Sequence, residues 1–200
     1  MAKLRSKGEQ TRAKMVAATA KLLQRHGYHG TGLSQIIKES GAPKGSLYFH
    51  FPDGKEELAT AALIEAGREF SSKLRDSIRP DTDPADAIEL ACAVLGQELV
   101  ESDFVQGCPL ATVALEAATH SEPIRLACVD HFGEWQDLLK LMLLHHGLEE
   151  ERASELAMMA LATMEGALML SRVRRSTEPL EQVGRQLHLL LSIVLGRSAD

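Results

Sequence analysis

GAPKGSLYFHF, residues 41–51, packs three aromatic rings, two glycines, a proline, a lysine and a small hydroxyl into a helix-sized stretch. The whole 200-residue chain holds only one Trp, two Tyr and five Phe, so this local crowding demands a reason. A helix from Pro43 to Phe51, read at about 100° per residue, places Leu47 and Phe51 on one face. That face can lock into a small core with Leu22, Tyr28 and Ile36. Gly45 and Phe49 fall on the opposite face, flanked by Ser46 and Tyr48. With no bulk at its start, the outer face lets backbone come close to a groove floor. There Ser46 can bond a base edge or phosphate, and a ring can touch a thymine methyl. Lys44, His50 and Lys55 stand at the ends, within reach of phosphates.

Upstream, a short helix follows Thr31 with Leu33, Ile36 and Ile37 apolar, and Gly41 ends it. Two short helices across a tight glycine turn make a helix-turn-helix, whose second member enters the DNA major groove. An earlier helix from about Gly8 to His26 carries Met15, Ala18, Leu22 and Leu23 on one face, with Gly27 as its stop. Thr31 and Ser34, near the start of the second helix, join the candidate DNA contacts. Charge agrees. Residues 1–55 carry seven Lys and three Arg against Glu9, Glu39 and Asp53, a surplus of seven positive charges. The rest of the chain holds 12 basic and 25 acidic groups. Only the first quarter is suited to face a polyanion.

The remainder also reads as helix, and strand signals are absent. After the break at Pro52-Asp53-Gly54, a long helix runs from Lys55 to about Ile78. PDTDP, residues 80–84, offers Asp83 as an N-cap and Pro84 at the first helical position. Further helices run to about Ser102, from the Gly107-Cys108-Pro109 break to about His120, from Ser121 to His146, from Glu149 to Arg175, and from Pro179 to Leu195. The expected fold is all-α with about nine helices. It divides into a three-helix DNA-binding domain over residues 1–55, a connecting helix over 55–78, and a helical body over 79–200. The last two helices are greasy nearly all round, which means burial on more than one side. A second copy of the same pair meets that need, giving a homodimer with Leu156, Met159, Thr163, Leu170, Val183, Leu187, Leu190 and Val194 as candidate interface residues. One monomeric bundle that buries both helices is the alternative.

The pattern from Gly27-Tyr28 through Thr31, Ile36, Gly41 and Lys44-Gly45-Ser46-Leu47-Tyr48-Phe49-His50-Phe51 to Lys55-Glu56-Glu57-Leu58 resembles the N-terminal domain of TetR-family (tetracycline-repressor-like) transcriptional regulators. The resemblance covers about thirty residues at near-family spacing. It implies that Tyr48, His50 and Lys55 contact phosphate and that Lys44 to Ser46 approach bases or backbone. Departures bear on contact detail. Pro43 stands where the family usually has a capping Ser or Thr, and Gly32 replaces a common Ser or Thr. Ile37 replaces a usual Ala, and Asp53-Gly54 adds a residue before Lys55. The resemblance also implies a double-stranded DNA operator as partner and a small, largely apolar or planar effector held by the body. The usual mode of the family is repression relieved by that effector.

Phe104, Cys108, Leu110, Val113, Phe132, Trp135, Met158, Met159 and Met164 are the candidate ligand-lining residues, because methionine adapts to varied shapes and a Trp stacks on planar ones. The segment 107–118, GCPLATVALEAA, resembles a TetR branch that includes responders to flavonoid-like and other planar drugs. Cys92, Cys108 and Cys128 are odd in number and scattered, which points to reduced thiols in a cytosol. No catalytic residue, metal site or cofactor is expected. Cys108 with His131 or His120 lacks the positioning of a thiol nucleophile and base, and His145-His146 reads as a helix C-terminal pair favoured by the dipole. No run approaches roughly 18 uninterrupted apolar residues, and no apolar stretch follows MAKLRSKGEQTR, so a cytoplasmic chain without membrane span or signal peptide is expected. Two further readings stand beside the effector-released regulator: redox sensing through Cys108, and architectural DNA binding, which the acidic body disfavours.

Overall fold

The computed structural model describes residues 6–78 and 82–197. Its elements are α1 (Lys7–His26), α2 (Leu33–Ser40), α3 (Ser46–His50), α4 (Lys55–Ser77), α5 (Pro84–Glu101), α6 (Pro109–Ala117), α7 (Glu122–His145), α8 (Glu150–Arg174) and α9 (Glu178–Val194). No strand occurs among the described residues. The all-α expectation and its helix count are met.

The chain forms two compact units, one of Met1–Glu69 with Pro109–Asp130, the other of Phe70–Cys108 with His131–Asp200. In the first, α1 starts at a capping box. The Ser6 hydroxyl accepts the Glu9 N–H at 3.3 Å while Glu9 Oε2 accepts the Ser6 N–H at 2.6 Å, which satisfies two donors that a helix start leaves open. Met15, Leu22 and Leu23 are buried, as the helical spacing required. Gly27 ends the helix at φ 69° and Gly41 ends α2 at φ 63°, both in the left-handed region that glycine enters without strain. α1 packs on α2, α3 and α6.

The third helix is shorter than its sequence suggested. Pro43 to Ser46 form a turn closed by the Ser46 N–H on the Pro43 carbonyl at 3.0 Å, and α3 proper begins only at Ser46. Five residues cannot sustain a helix alone. The anchors are Leu47 and Phe51, both buried, and Leu58, Ala59, Ala62 and Leu63 of α4 are buried in the same unit. α6 ends at Ala117, ahead of the expected stop near His120, because 118–120 curl into a turn with the His120 N–H on the Ala117 carbonyl at 3.0 Å.

In the second unit Asp83 caps α5, accepting the Ala85 N–H at 2.8 Å, and Pro84 takes the first turn, as read from the sequence. Residues 80 and 81 of PDTDP lie outside the described residues. α5 and α9 form the most extensive helix pair, and α8 packs on both. Gly184 permits the approach of α9 to α5, since a Cβ there would stand 3.2 Å from Cys92 Cβ. Among the described residues, α8 is the one helix long and apolar enough to cross a membrane by length and composition. Its Ala153, Leu156, Ala157, Ala160, Ala167 and Leu168 instead build the unit's core.

The sequence had mixed the two faces of the last helices. Leu156 and Leu187 are buried in the core of their own unit, and Val183, Leu190 and Val194 pack against it. The 3-4-3-4 stripe of α9 is therefore its inward face. The face left uncovered carries Met159, Thr163 and Leu170 from the candidate set, together with Met158, Met169, Val173, Leu189 and Ile193.

Candidate nucleic-acid interface

The turn and α3 present a surface opposite to their buried anchors. Phe51 is 0% exposed, whereas Phe49, two residues earlier, is 79% exposed and Tyr48 63%. Lys44, Gly45 and Ser34 are exposed, while Ser46 and His50 are half-buried. No heavy atom lies within 4 Å of where a Gly45 Cβ would be, so the approach to the start of α3 is open. The Ser46 hydroxyl donates to the Pro43 carbonyl at 2.6 Å. In this rotamer its oxygen is left to accept, which suits a base amino group and not a phosphate. His50 stacks edge-on with Phe49 at 4.9 Å between centroids. A Cβ at Gly8 would stand 3.6 Å from His50 Cε1, which sets the start of α1 beside the imidazole.

Two of the expected contacts are altered. Thr31 is buried, and its hydroxyl donates to the Gly27 carbonyl at 2.7 Å. It stabilises the loop between α1 and α2, and its side chain is not offered to DNA. Lys55 holds its ammonium 4.4 Å from the Tyr28 ring centroid. Burial lowers its pKa, and the charge of Glu116 opposes that shift. Burial likewise raises the Tyr28 phenol, with Glu56 adding to it. Arg12, which the sequence reading did not single out, lies 4.9 Å over the Phe51 ring. It is exposed on α1, and a cation at i+3 from Glu9 gave no distinguishing signal.

A half-buried helix of exposed rings and small residues behind a glycine turn is what a major-groove reader requires. Residues 15–62 match the bacterial regulatory proteins of the tetR family, and residues 84–186 match the C-terminal domain of LmrA/YxaF-like transcriptional regulators. The HTH-type transcriptional regulator LmrA of Bacillus subtilis strain 168 is 40% identical over 170 residues, 85% of this chain and 90% of that protein. The chain belongs to the TetR family. The regulator YxaF of the same organism is 37% identical over 186 residues, 93% of this chain and 97% of its own. A TetR transcriptional regulator from Chloroflexus aurantiacus superposes with a TM-score of 0.77 at 29% identity, covering 93% of this chain and 96% of that one. This TetR-family protein is a DNA-binding transcriptional regulator, and its class is not enzymatic.

The ligand candidates scatter in this TetR-family regulator. Leu110 and Val113 are fully buried in the first unit, on the helix that packs against α1. In the second unit Met164 is core, whereas Met158 and Met159 are exposed on α8. Met158 borders an open polar cleft with Gln136, Lys140, Glu150, Glu151, Ser154 and Glu155. Phe132 and Trp135 do come together, 5.7 Å apart, with Phe70 4.8 Å from the indole. The indole N–H donates to the buried Ser71 hydroxyl at 3.0 Å, which fixes the ring plane. Phe70 and Ser71 were missed because their signal lies on α4, far along the chain. Phe104 and Asp103 adopt φ 58° and 52°, and Arg175 pairs with Asp103 at 2.8 Å.

Two of the three thiols fit no nucleophilic role. Burial pushes Cys92 up to about 12, with Glu89 adding to it, and Cys128 up to about 11. Cys108 is hydrogen-bonded to Glu165, whose carboxyl pKa burial raises despite that hydrogen bond. His131 is buried with Nδ1 3.0 Å from Glu134 Oε2. His146 Nδ1 lies 2.9 Å from the Met142 carbonyl oxygen at the end of α7.

Proposed function

We propose that this protein is a cytoplasmic homodimeric repressor that occupies an operator through α2 and α3 and leaves it when a small, largely apolar or planar effector binds the second unit. The observation that carries the DNA-reading half is the split of one short helix and its cap into buried Leu47 and Phe51 and exposed Tyr48 and Phe49. Lys44, Gly45, Ser46 and Ser34 surround those rings and complete the contact surface, with His50 beside them.

Dimerisation is supported by the uncovered apolar face of α8 and α9, where Val173 is 77% and Ile193 60% exposed. A contiguous apolar surface on a chain that also holds a full core is the mark of an association face. Two readers then match half-sites about one helical turn of DNA apart, or a multiple of it. The effector reading rests on the Phe70, Phe132 and Trp135 rings, where an indole held by Ser71 offers a flat face for stacking. Repression is the usual mode of the family. By linkage, operator and effector weaken each other equally, typically by about 1–3 kcal/mol.

The test is fluorescence anisotropy of labelled DNA from the gene's own upstream region, with excess unrelated duplex as competitor. Saturable binding that survives the competitor, and is lost on adding a planar aromatic compound that quenches Trp135, is the expected result. Absence of binding even at low salt, where phosphate contacts are strongest, overturns the reading.

A further inference from the structure

Arg12 is an exposed cation of α1 that lies beside the end of α3. Its Cζ is 4.9 Å from the centroid of the Phe51 ring, and that ring is wholly buried. Phe51 caps α3, its N–H donating to the Leu47 carbonyl at 2.8 Å. Gly8, four residues before Arg12 and so on the same face of α1, would bring a Cβ to 3.6 Å from His50 Cε1. The first turns of α1 thus run along the C-terminal end of α3. No carboxylate among the described residues pairs with Arg12. Glu9, one turn earlier, gives Oε2 to the Ser6 N–H at 2.6 Å, and Glu57 gives Oε2 to the Asp53 N–H at 3.1 Å. Glu116, on α6, accepts the His29 N–H at 2.8 Å and fills the space that a Cβ on Gly27 would need. All of these residues belong to the first compact unit.

Covering the Phe51 ring needs only an apolar stem, which any long side chain supplies. The charge at its tip is left without an anion inside the unit. A helix about 10–12 Å across fills a major groove about 12 Å wide. Groups that flank the seated helix therefore meet the sugar–phosphate wall and not the base edges. We propose that Arg12 is a phosphate clamp: stacked on Phe51, its guanidinium holds a backbone phosphate of the operator beside the C-terminal end of α3. The planar guanidinium can offer two parallel N–H donors to phosphate oxygens. The ring beneath it restricts the side chain before DNA arrives, so less ordering entropy is lost on contact. Such a contact fixes the seat of α3 in the groove and carries no sequence information of its own. This inference rests on the DNA-binding reading.

The experiment uses the full chain and a labelled duplex selected by the wild type from a random-sequence pool. Affinities of wild type, R12Q and R12K are measured from about 50 to 200 mM salt. R12Q loses the cation over the ring, so its melting temperature should fall by no more than about 2–4 °C. It is expected to bind more weakly, with a log–log salt slope shallower by about 0.9 for each protomer bound. With two protomers, its deficit against the wild type then shrinks about twelvefold across that range. R12K keeps the charge without the planar fork, and should keep the wild-type slope at lower affinity. On an unrelated duplex at low salt R12Q should show a similar deficit, because phosphates are alike in every sequence. A deficit confined to the selected duplex means a base contact and overturns the inference. An unchanged slope in R12Q, with or without a lower melting temperature, means a purely structural cation and overturns it too. So does an R12K slope as shallow as that of R12Q. Should R12Q fail to fold, R12M, whose apolar stem covers the ring, is read by the same slope in its place. If the wild type selects no duplex, the DNA-binding reading falls with the inference. If it selects one and R12Q keeps the wild-type slope, the inference alone falls.

Discussion

Phe49 and Phe51 occupy one five-residue helix and its cap, yet deleting each ring should produce opposite phenotypes. Phe51 is wholly buried, with the Arg12 guanidinium 4.9 Å above it. Truncation to Ala leaves a cavity and costs about 3–5 kcal/mol. For a chain of this length unfolding as one unit, each kcal/mol shifts the melting temperature by about 2–4 °C, so a fall of about 6–20 °C is expected. Phe49 is 79% exposed. Its truncation should alter stability by no more than about 0.5 kcal/mol. If the ring meets a base edge in the groove, its loss weakens operator binding by about 1–3 kcal/mol, the scale of one base-level contact. That corresponds to roughly five- to 150-fold in Kd. Thermal melts by circular dichroism read the first effect and anisotropy with operator duplex the second. The reasoning is refuted if Phe49→Ala melts as early as Phe51→Ala, or if Phe49→Ala binds operator as tightly as wild type.

Three further outcomes are accessible with the same protein. Val173→Glu and Ile193→Glu place charges on the uncovered face of α8 and α9, and sedimentation should show monomers whose helical content is intact. Thr31→Val removes the hydroxyl that donates to the Gly27 carbonyl; denaturant melts should show a loss of about 1 kcal/mol, while DNA affinity under folding conditions is unchanged. Above pH 9 the unfolded chain releases the Cys92 and Cys128 protons, whereas the folded chain, with thiols raised to about 12 and about 11, retains them. Stability therefore declines as pH rises from about 9 toward 11. A Cys92→Ala/Cys128→Ala variant should decline less steeply in urea melts at matched pH.

Local chemistry made much of this fold legible. Gly27 and Gly41 announce helix ends because left-handed backbone favours them, and Asp83-Pro84 announces a start because cap and first turn are set by adjacent residues. Leu47 and Phe51 could be told from Phe49 by helical phase alone. Phase fails where it carries no contrast. α8 and α9 are apolar on most faces, so Leu156 and Leu187 could not be separated from Val173 and Ile193 before their neighbours were known. Thr31 sits at a position that reads as an exposed helix start, and only its bond to Gly27 draws it inside. Glu116 had no local signal whatever, since its partner His29 lies 87 residues away. The ligand candidates split for the same reason. A Trp and a Phe three residues apart on α7 share a face, but Leu110 and Val113 went to the other unit with α6.

The membership of α6 has a bearing on how such regulators can be recombined. The unit that holds the reader is discontinuous, Met1–Glu69 completed by Pro109–Asp130. A graft that takes only the N-terminal stretch carries an α1 surface shaped to a helix it leaves behind. The host must then supply a fitting α6, including an acid able to enter the glycine loop at Gly27. Chimeras that transplant both segments together should keep their operator preference and solubility, whereas single-crossover hybrids between distant relatives should express poorly. Inheritance by exchange of sensors is thereby restricted to partners whose sixth helix already matches.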